Sequence, residues 1–332
     1  MKVLLTGANG YIGKRLLPVL LERGHEVYAA VRDRKRLETG RQPGDNLHIL
    51  EVDFLRDNPA DLLPADLDAA YYLIHSMSAS QDDFNELESV SARNFVELID
   101  HTSARQIIYL SGISNAEKLS RHLASRRNVE TILSGARISL TNLRAGIIVG
   151  SGSASFEIIR DLVEKLPVMV TPKWLNTRCQ PIAIRNVIQY LHGVLLHQQC
   201  MGRTFDIGGP EILTYREMLL QFAEVRNLKR LICTIPVMTP RLSSYWLYFV
   251  TAISYNLAVN LVDSMKVEVV CRENRIRDIL NIPLIDYRRS IELAFARIEQ
   301  NLVLSSWKDA MVSGSRYVDL NKWIEVPRFG CY

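Results

Sequence analysis

Lys2-Val3-Leu4-Leu5-Thr6-Gly7-Ala8-Asn9-Gly10-Tyr11-Ile12-Gly13-Lys14 opens the chain, and its reading decides the fold. Lys2 to Thr6 is a short apolar run with the length of a buried strand. Three glycines follow in G-x-x-G-x-x-G spacing around Ala8, Asn9, Tyr11 and Ile12, and Lys14 to Glu22 reads as a helix. Strand, glycine turn and helix in this order form a dinucleotide site. Gly7 permits the tight turn, Gly10 lets the backbone approach a pyrophosphate, and Gly13 lets helix and strand pack closely. The first-turn amides near Tyr11 and Ile12 then face the phosphate with the helix dipole behind them.

Working outward, Gly24 stops the helix and His25 to Val31 is a second strand. Arg32 stands at its end. An acidic residue there would bond the adenosine ribose hydroxyls, whereas an arginine accommodates a 2′-phosphate. Arg32, with Arg34, Lys35 or Arg36 beside it, therefore favours NADP(H), with NAD(H) as the second choice; Asp33, the next residue, pulls the other way. Leu47 to Val52 is a third strand, and Asp53 after it can accept a hydrogen bond from the adenine amino group, with Phe54 alongside. Ala69 to Ile74 is a fourth, followed at its carboxyl end by His75-Ser76-Met77. Ligands of open α/β sheets bind at that edge, which makes Ile74 and His75 cofactor contacts. Gln81 to His101 is a long helix with Phe84, Leu87, Val90, Phe95, Leu98 and Ile99 on its apolar side. Gln106 to Leu110 is a fifth strand ending in Ser111-Gly112, Ser120 to Ser134 a helix, and Ser139 to Leu143 a sixth strand. The alternation predicts an α/β fold with a Rossmann-type, doubly wound parallel sheet.

Past Gly150 the pattern loosens. Phe156 to Leu166 is an amphipathic helix, Pro167 to Gln180 a turn-rich stretch, Ile184 to His197 a helix and Thr204 to Ile207 a short strand. Thr214 is an N-cap with Glu217 at the capping-box position. The remainder to Gln300 reads as mostly helical. The predicted division is a cofactor-binding domain over 1–150, to which 184–207 return, a smaller, mostly helical substrate lobe over 151–183 and 208–303, and a C-terminal extension or stub of a further domain over 304–332.

The 332 residues carry 48% hydrophobic and 23% charged side chains and a net charge of +4, an ordinary globular composition without the basic stripe that nucleic-acid binding needs. The five cysteines are scattered with no C-x-x-C pair, which argues against zinc and disulfides and suits a reducing cytoplasm. The first residues form no signal peptide, because glycines interrupt a short apolar run. Leu242 to Val262 lacks charge over about the length of a membrane span. Serines, a threonine and asparagines spread through it point to a pocket-covering helix pair, with peripheral membrane contact as the alternative.

Together these landmarks resemble the short-chain dehydrogenase/reductase superfamily, extended type, and within it the atypical, NmrA-like NAD(P)-binding proteins. Thr6 to Gly13 is similar to the superfamily's TGxxGxxG fingerprint, and Phe205-Asp206-Ile207-Gly208-Gly209-Pro210 with Leu213 to Glu217 to the segment opening the substrate-side helices. Leu143 to Ala154 and Thr177 to Ala183 resemble a bacterial group in which a lipid-pocket-like domain often follows. Active members use a tyrosine and lysine spaced Y-x-x-x-K. Here His122 falls at the tyrosine position and Arg126 at the lysine position, and Ser111 adjoins Gly112 near the serine position. The resemblance thus implies a site without the tyrosine–lysine pair, with His122, Arg126 and Ser111 as its catalytic candidates; Ser111 and Arg126 are also cofactor contacts.

Three functions follow. One is an NADP-preferring oxidoreductase acting on an unknown small molecule. The segments 156–178 and 245–255 are apolar and aromatic and suit a hydrophobic or aromatic substrate, with Phe156, Trp174, Arg178 and Tyr245 lining its pocket. The second is a non-catalytic nicotinamide-nucleotide sensor or scaffold, which the missing tyrosine favours. A nucleotide-sugar epimerase or dehydratase ranks third, since it uses the same absent tyrosine.

Overall fold

The computed structural model describes residues 1–37, 45–56, 58–59, 61–75, 84–113, 121–235 and 265–299. The first half alternates as read: β1 (Lys2–Thr6), α1 (Gly13–Glu22), β2 (Glu26–Val31), β3 (Leu47–Glu51), β4 (Ala69–Tyr72), α2 (Phe84–Ile99), β5 (Gln106–Gly112), α3 (Arg121–Ser134) and β6 (Ser139–Ala145). Then come β7 (Ile148–Val149), α4 (Ala154–Lys165), β8 (Val168–Pro172), β9 (Arg178–Cys179), β10 (Ile182–Ala183), α5 (Ile184–Gly193) and β11 (Thr204–Ile207). The described remainder holds β12 (Leu213–Thr214), α6 (Tyr215–Val225), β13 (Leu231–Ile235), α7 (Arg275–Leu280) and α8 (Tyr287–Glu299).

Seven strands form one wholly parallel sheet in the order β11-β6-β5-β4-β1-β2-β3. This is a doubly wound, Rossmann-like arrangement whose strand order reverses between β1 and β4. A parallel sheet buried on both faces needs apolar residues on both faces. Accordingly Leu5, Tyr71, Ile108 and Leu143 pack against Leu16 and Leu20 of α1 and Val187 and Leu191 of α5. On the other face Leu4, Tyr72, Ile107 and Tyr109 pack against Phe95 and Ile99 of α2 and Leu133 of α3.

Polar clips seat α5 and its exit on the sheet. Tyr71 Oη donates to the Leu191 carbonyl at 2.9 Å. The fully buried Gln106 amide donates to Thr141 Oγ1 and the Val194 carbonyl and accepts from the Leu196 amide. Buried polar groups are tolerated when satisfied in this way.

A third core holds α4, α6 and α8 together. Phe156, Phe222 and Phe295, one from each helix, meet with ring centroids 5.5 to 5.6 Å apart. The capping box of α6 is present: Thr214 Oγ1 accepts from the Glu217 amide, and the Glu217 carboxylate accepts from the Thr214 amide. Two stretches differ from the sequence reading. Leu231 to Ile235, expected within a mostly helical remainder, is a strand pairing in parallel with Val168 to Pro172, itself inside the expected turn-rich stretch. Both are short and β-branched-rich, and long-range pairing decides such segments. The 242–262 stretch lies outside the described residues. Among the described residues no helix is long and apolar enough to cross a membrane.

Candidate functional site

The glycine turn forms the floor of a cavity of about 480 Å³ at the carboxyl edge of the sheet. Gly7 adopts φ +65°, which side-chain-bearing residues rarely take, and a β-carbon there would lie 2.6 Å from the Leu73 carbonyl oxygen. A β-carbon on Gly13 would lie 2.2 Å from the Gly7 carbonyl oxygen. Gly10 is less confined, meeting only that same oxygen at 3.1 Å. Arg15 braces the turn from α1. Its guanidinium stacks 4.0 Å over the Tyr11 ring and donates to the carbonyls of Tyr11 and Ser151. Burial pushes the Tyr11 phenol up to about 12 despite the Arg15 charge.

The ends of successive strands supply the walls. Arg32 and Arg36 line the cavity after β2, Asp53 and Phe54 after β3, and Ile74 and His75 after β4. Ser111 of β5 and Arg126 of α3 complete that side, and Asn9, Tyr11 and Ile12 lie on the floor with the glycines. Asp33, the residue that weakened the reading of Arg32, caps the short turn 34–36 by accepting from the Lys35 amide at 2.9 Å. Arg34 is tied to the Ile49 carbonyl of β3.

Beneath this wall lies a polar network that sequence reasoning missed. Glu88 of α2 is buried, and its two carboxylate oxygens accept from His75 Nδ1 at 2.6 Å and from Ser125 Oγ at 2.5 Å. Burial acts to raise the Glu88 pKa, but His75, Arg126 and Ser125 together outweigh it and hold the carboxyl down at about 2. Burial, reinforced by the Arg126 charge, lowers the His75 pKa against the pull of Glu88. The signal was present in the sequence: Glu88 shares the face of α2 that carries Ala92, Phe95 and Ile99, where a carboxylate needs a partner.

Ser111 Oγ donates to Asn142 Oδ1 at 2.9 Å, so its proton is engaged inside the sheet. Arg126 Nη1 donates to the Leu110 carbonyl at 3.1 Å. His122 belongs to α3, but its side chain lies outside the described residues.

The lobe residues expected around the pocket are not the ones that line the cavity. Phe156 is buried in the aromatic cluster of the lobe. Trp174 packs edge-on against Tyr215. Arg178 is exposed and forms a two-pronged pair with Glu268. None of the three lines the cavity, and Tyr245 lies outside the described residues. The lobe side is instead built by Ile147 and Ile148 around β7, Ile158 and Ile159 of α4, Tyr215, Met265 and Val269. Ile158 and Ile159 of α4 belong to the same buried cluster as Phe156 and Leu162 and also border the cavity.

Residues 7–148 match a family model described as NAD(P)H-binding. The chain therefore carries an NAD(P)-binding, Rossmann-like domain. Several solved structures share its fold. The UDP-glucuronic acid 4-epimerase of Bacillus cereus, in complex with UDP-glucuronic acid and NAD, superposes with a TM-score of 0.68 at 16% identity, covering 91% of this chain and all of that one. A nucleoside-diphosphate-sugar epimerase from Staphylococcus aureus gives 0.68 at 12% identity, over 88% of this chain and all of its own. An NAD-dependent NDP-hexosamine 5,6-dehydratase of tunicamycin biosynthesis gives 0.64 at 14% identity, over 90% of this chain and 98% of its own. At these identities the likeness is one of fold. No curated protein matches the chain.

Proposed function

We propose that this chain binds NADP(H) in preference to NAD(H) and is an atypical, NmrA-like oxidoreductase for a small apolar substrate, working without a tyrosine–lysine pair. One observation carries the reading: a single cavity joins the glycine turn and Arg32 to an apolar wall from the lobe. The residues fit a dinucleotide. Gly7 and Gly13 let strand, turn and helix pack against backbone too closely for any β-carbon, and the N-terminus of α1 presents amides to a pyrophosphate. Arg32 and Arg36 would hold a 2′-phosphate, with Asp33 withdrawn into its cap, and Asp53 with Phe54 would receive the adenine. The other half of the dinucleotide then extends toward Ile74, His75, Ser111 and Arg126 on β4, β5 and α3.

When bound, the cofactor supplies hydride chemistry. The protein orients the partners and shields them from water. Arg126 would hold ribose hydroxyls through its guanidinium donors, in the role a lysine has elsewhere. On the lobe side Ile147, Ile158, Ile159, Met265 and Val269 receive the substrate. Among the described residues that wall contains no cation, so it suits an apolar molecule better than the nucleotide sugars of the fold neighbours.

The engaged proton of Ser111 favours a second reading, a nicotinamide-nucleotide sensor. Calorimetric titration with NADPH and NADH, followed by NADPH oxidation over a panel of apolar carbonyl compounds, separates the two. Tight NADPH binding with oxidation supports the enzyme, and tight binding without oxidation supports the sensor. Equal affinity for both nucleotides removes the NADP preference.

A further inference from the structure

A second cavity, of about 830 Å³, lies along α3 and shares no lining residue with the first. Arg127, Glu130, Thr131 and Ser134 give it one stripe of α3, at the i, i+3, i+4 and i+7 spacing that places side chains on a single helical face. Arg137 follows in the turn to β6, Arg144 comes from β6, Thr204 from the edge strand β11, and Arg272 from the segment before α7. Adjacent residues of α3 thus serve different cavities, Arg126 the first and Arg127 the second.

Four arginines stand against one carboxylate in this lining. The acids close by are already engaged. Buried Asp206 takes the Arg144 guanidinium on one oxygen and the Arg272 amide on the other. Glu130 accepts from Thr204 Oγ1 at 3.2 Å. Asp100 turns its carboxylate to the Arg137 backbone amide. Arg127 and Arg137 are exposed, and among the described residues neither guanidinium is held by a carboxylate. The hydroxyl protons of Thr131, Ser134 and Thr204 go to the Arg127 carbonyl, the Thr131 carbonyl and Glu130. The strongest donors left for a ligand are the guanidinium forks, and cations gathered without counter-charge repel one another until an anion enters.

We propose that this second cavity binds a phosphate chain, inorganic or carried by a nucleotide, outside the dinucleotide site. A guanidinium fork matches phosphate oxygens two at a time and keeps its charge at physiological pH. The arginines stand on α3, on the turn after it, on β6 and on the segment before α7, and so surround the cavity from several elements. A phosphate chain presents oxygens in as many directions, whereas a carboxylate presents them in one plane. Arg127 lies within α3 and Arg137 beyond its C-terminal end, so an extended anion engages both.

The test uses the full chain carrying Gly10→Val, which fills the pyrophosphate space at the glycine turn, with circular dichroism to check its fold. The parent saturated with NADPH gives the same comparison without that substitution. Calorimetry with inorganic triphosphate and with ATP should show saturable binding. Adding Arg127→Gln with Arg137→Gln should weaken it about tenfold or more. Arg185→Gln with Arg216→Gln removes the same charge at two exposed arginines outside both cavities, and should leave the affinity within about twofold. Equal losses in the two double variants would mean bulk attraction and overturn the proposal. Absence of binding by both probes overturns it, as does binding that Arg127→Gln with Arg137→Gln leaves intact. Triphosphate as tight as ATP makes the phosphate chain itself the ligand, and tighter ATP makes it a nucleotide; citrate or sulfate binding as tightly as either removes the phosphate assignment. Arginine Nε–H NMR locates the site. The signals of Arg127 and Arg137 should shift on adding triphosphate, and signals that stay in place would put the anion elsewhere and overturn the proposal.

Discussion

Gly13 stands against Gly7 so closely that a β-carbon on Gly13 would sit 2.2 Å from the Gly7 carbonyl oxygen and 2.7 Å from the Ala8 α-carbon. The obstacle is backbone, which has no rotamer to yield. Gly13→Ala should lower stability by about 2–3 kcal/mol, as overpacking does. Gly24→Ala is the control: φ is +76° but nothing lies within 4 Å of the place its methyl group would take, so only the left-handed backbone penalty of about 1 kcal/mol applies. Urea midpoints of the two variants check the ranking; equal midpoints would mean that the turn relaxes.

Gly10 behaves differently. Its β-carbon meets only the Gly7 oxygen, at 3.1 Å. Gly10→Val should therefore stay folded by circular dichroism while losing NADPH affinity on the order of a hundredfold or more, because the side chain fills the space that the pyrophosphate needs. Retained binding would make this glycine purely structural.

Arg32 at the end of β2 should set the nucleotide preference. A charge-assisted pair to the 2′-phosphate is worth about 1.5–3 kcal/mol. Arg32→Ala should weaken NADPH by roughly ten- to a hundredfold and leave NADH almost unchanged. Parallel calorimetric titrations decide it, and an equal loss for both nucleotides would show that Arg32 does not read the phosphate.

Arg144 and Asp206 join β6 to the edge strand β11 at 2.7 Å, and the second Asp206 oxygen accepts from the Arg272 amide. The Asp206 side chain is 0% exposed and the Arg144 side chain 29%. Arg144→Met leaves a carboxylate buried without its cation and should cost about 3–5 kcal/mol. Asp206→Asn leaves a cation that can reach water and keeps an acceptor for the Arg272 amide, and should cost less. Chemical denaturation of both variants tests that asymmetry.

The Glu88–His75 pair makes stability depend on pH. Glu88 is held at about 2 against 4.5 in the unfolded chain, and His75 is held below 6.5. Both groups bind protons more readily when the chain is unfolded, so both contributions are present above the unfolded values and are lost on acidification. The loss begins below 6.5 for His75 and runs from 4.5 toward 2 for Glu88, whose share is about 3 kcal/mol. Denaturation free energies at neutral pH and at about pH 3 should differ less in Glu88→Gln than in the parent. An unchanged slope would place the acid sensitivity elsewhere.

Sequence by itself determined the doubly wound sheet, because each of its signals is local. Val3-Leu4-Leu5 reads as a buried strand, the glycine spacing as a turn, and Leu16, Leu17 and Leu20 as one helical face, whatever the rest of the chain does. The strand ends follow from topology, which carries Arg32, Asp53, His75 and Ser111 to one edge and so to one cavity. Tertiary structure alone decided which side of a lobe element faces that cavity. Phe156, Trp174 and Arg178 have the chemistry of pocket residues, but the aromatic cluster, Tyr215 and Glu268 take them, and Ile158 and Ile159 border the cavity while also packing in the core. Glu88 and His75 are thirteen residues apart in the chain and meet only because α2 packs back across β4. Helical or strand periodicity tells which residues share a face; what that face meets depends on long-range packing, where a buried carboxylate and a buried imidazole must find each other or be neutralised.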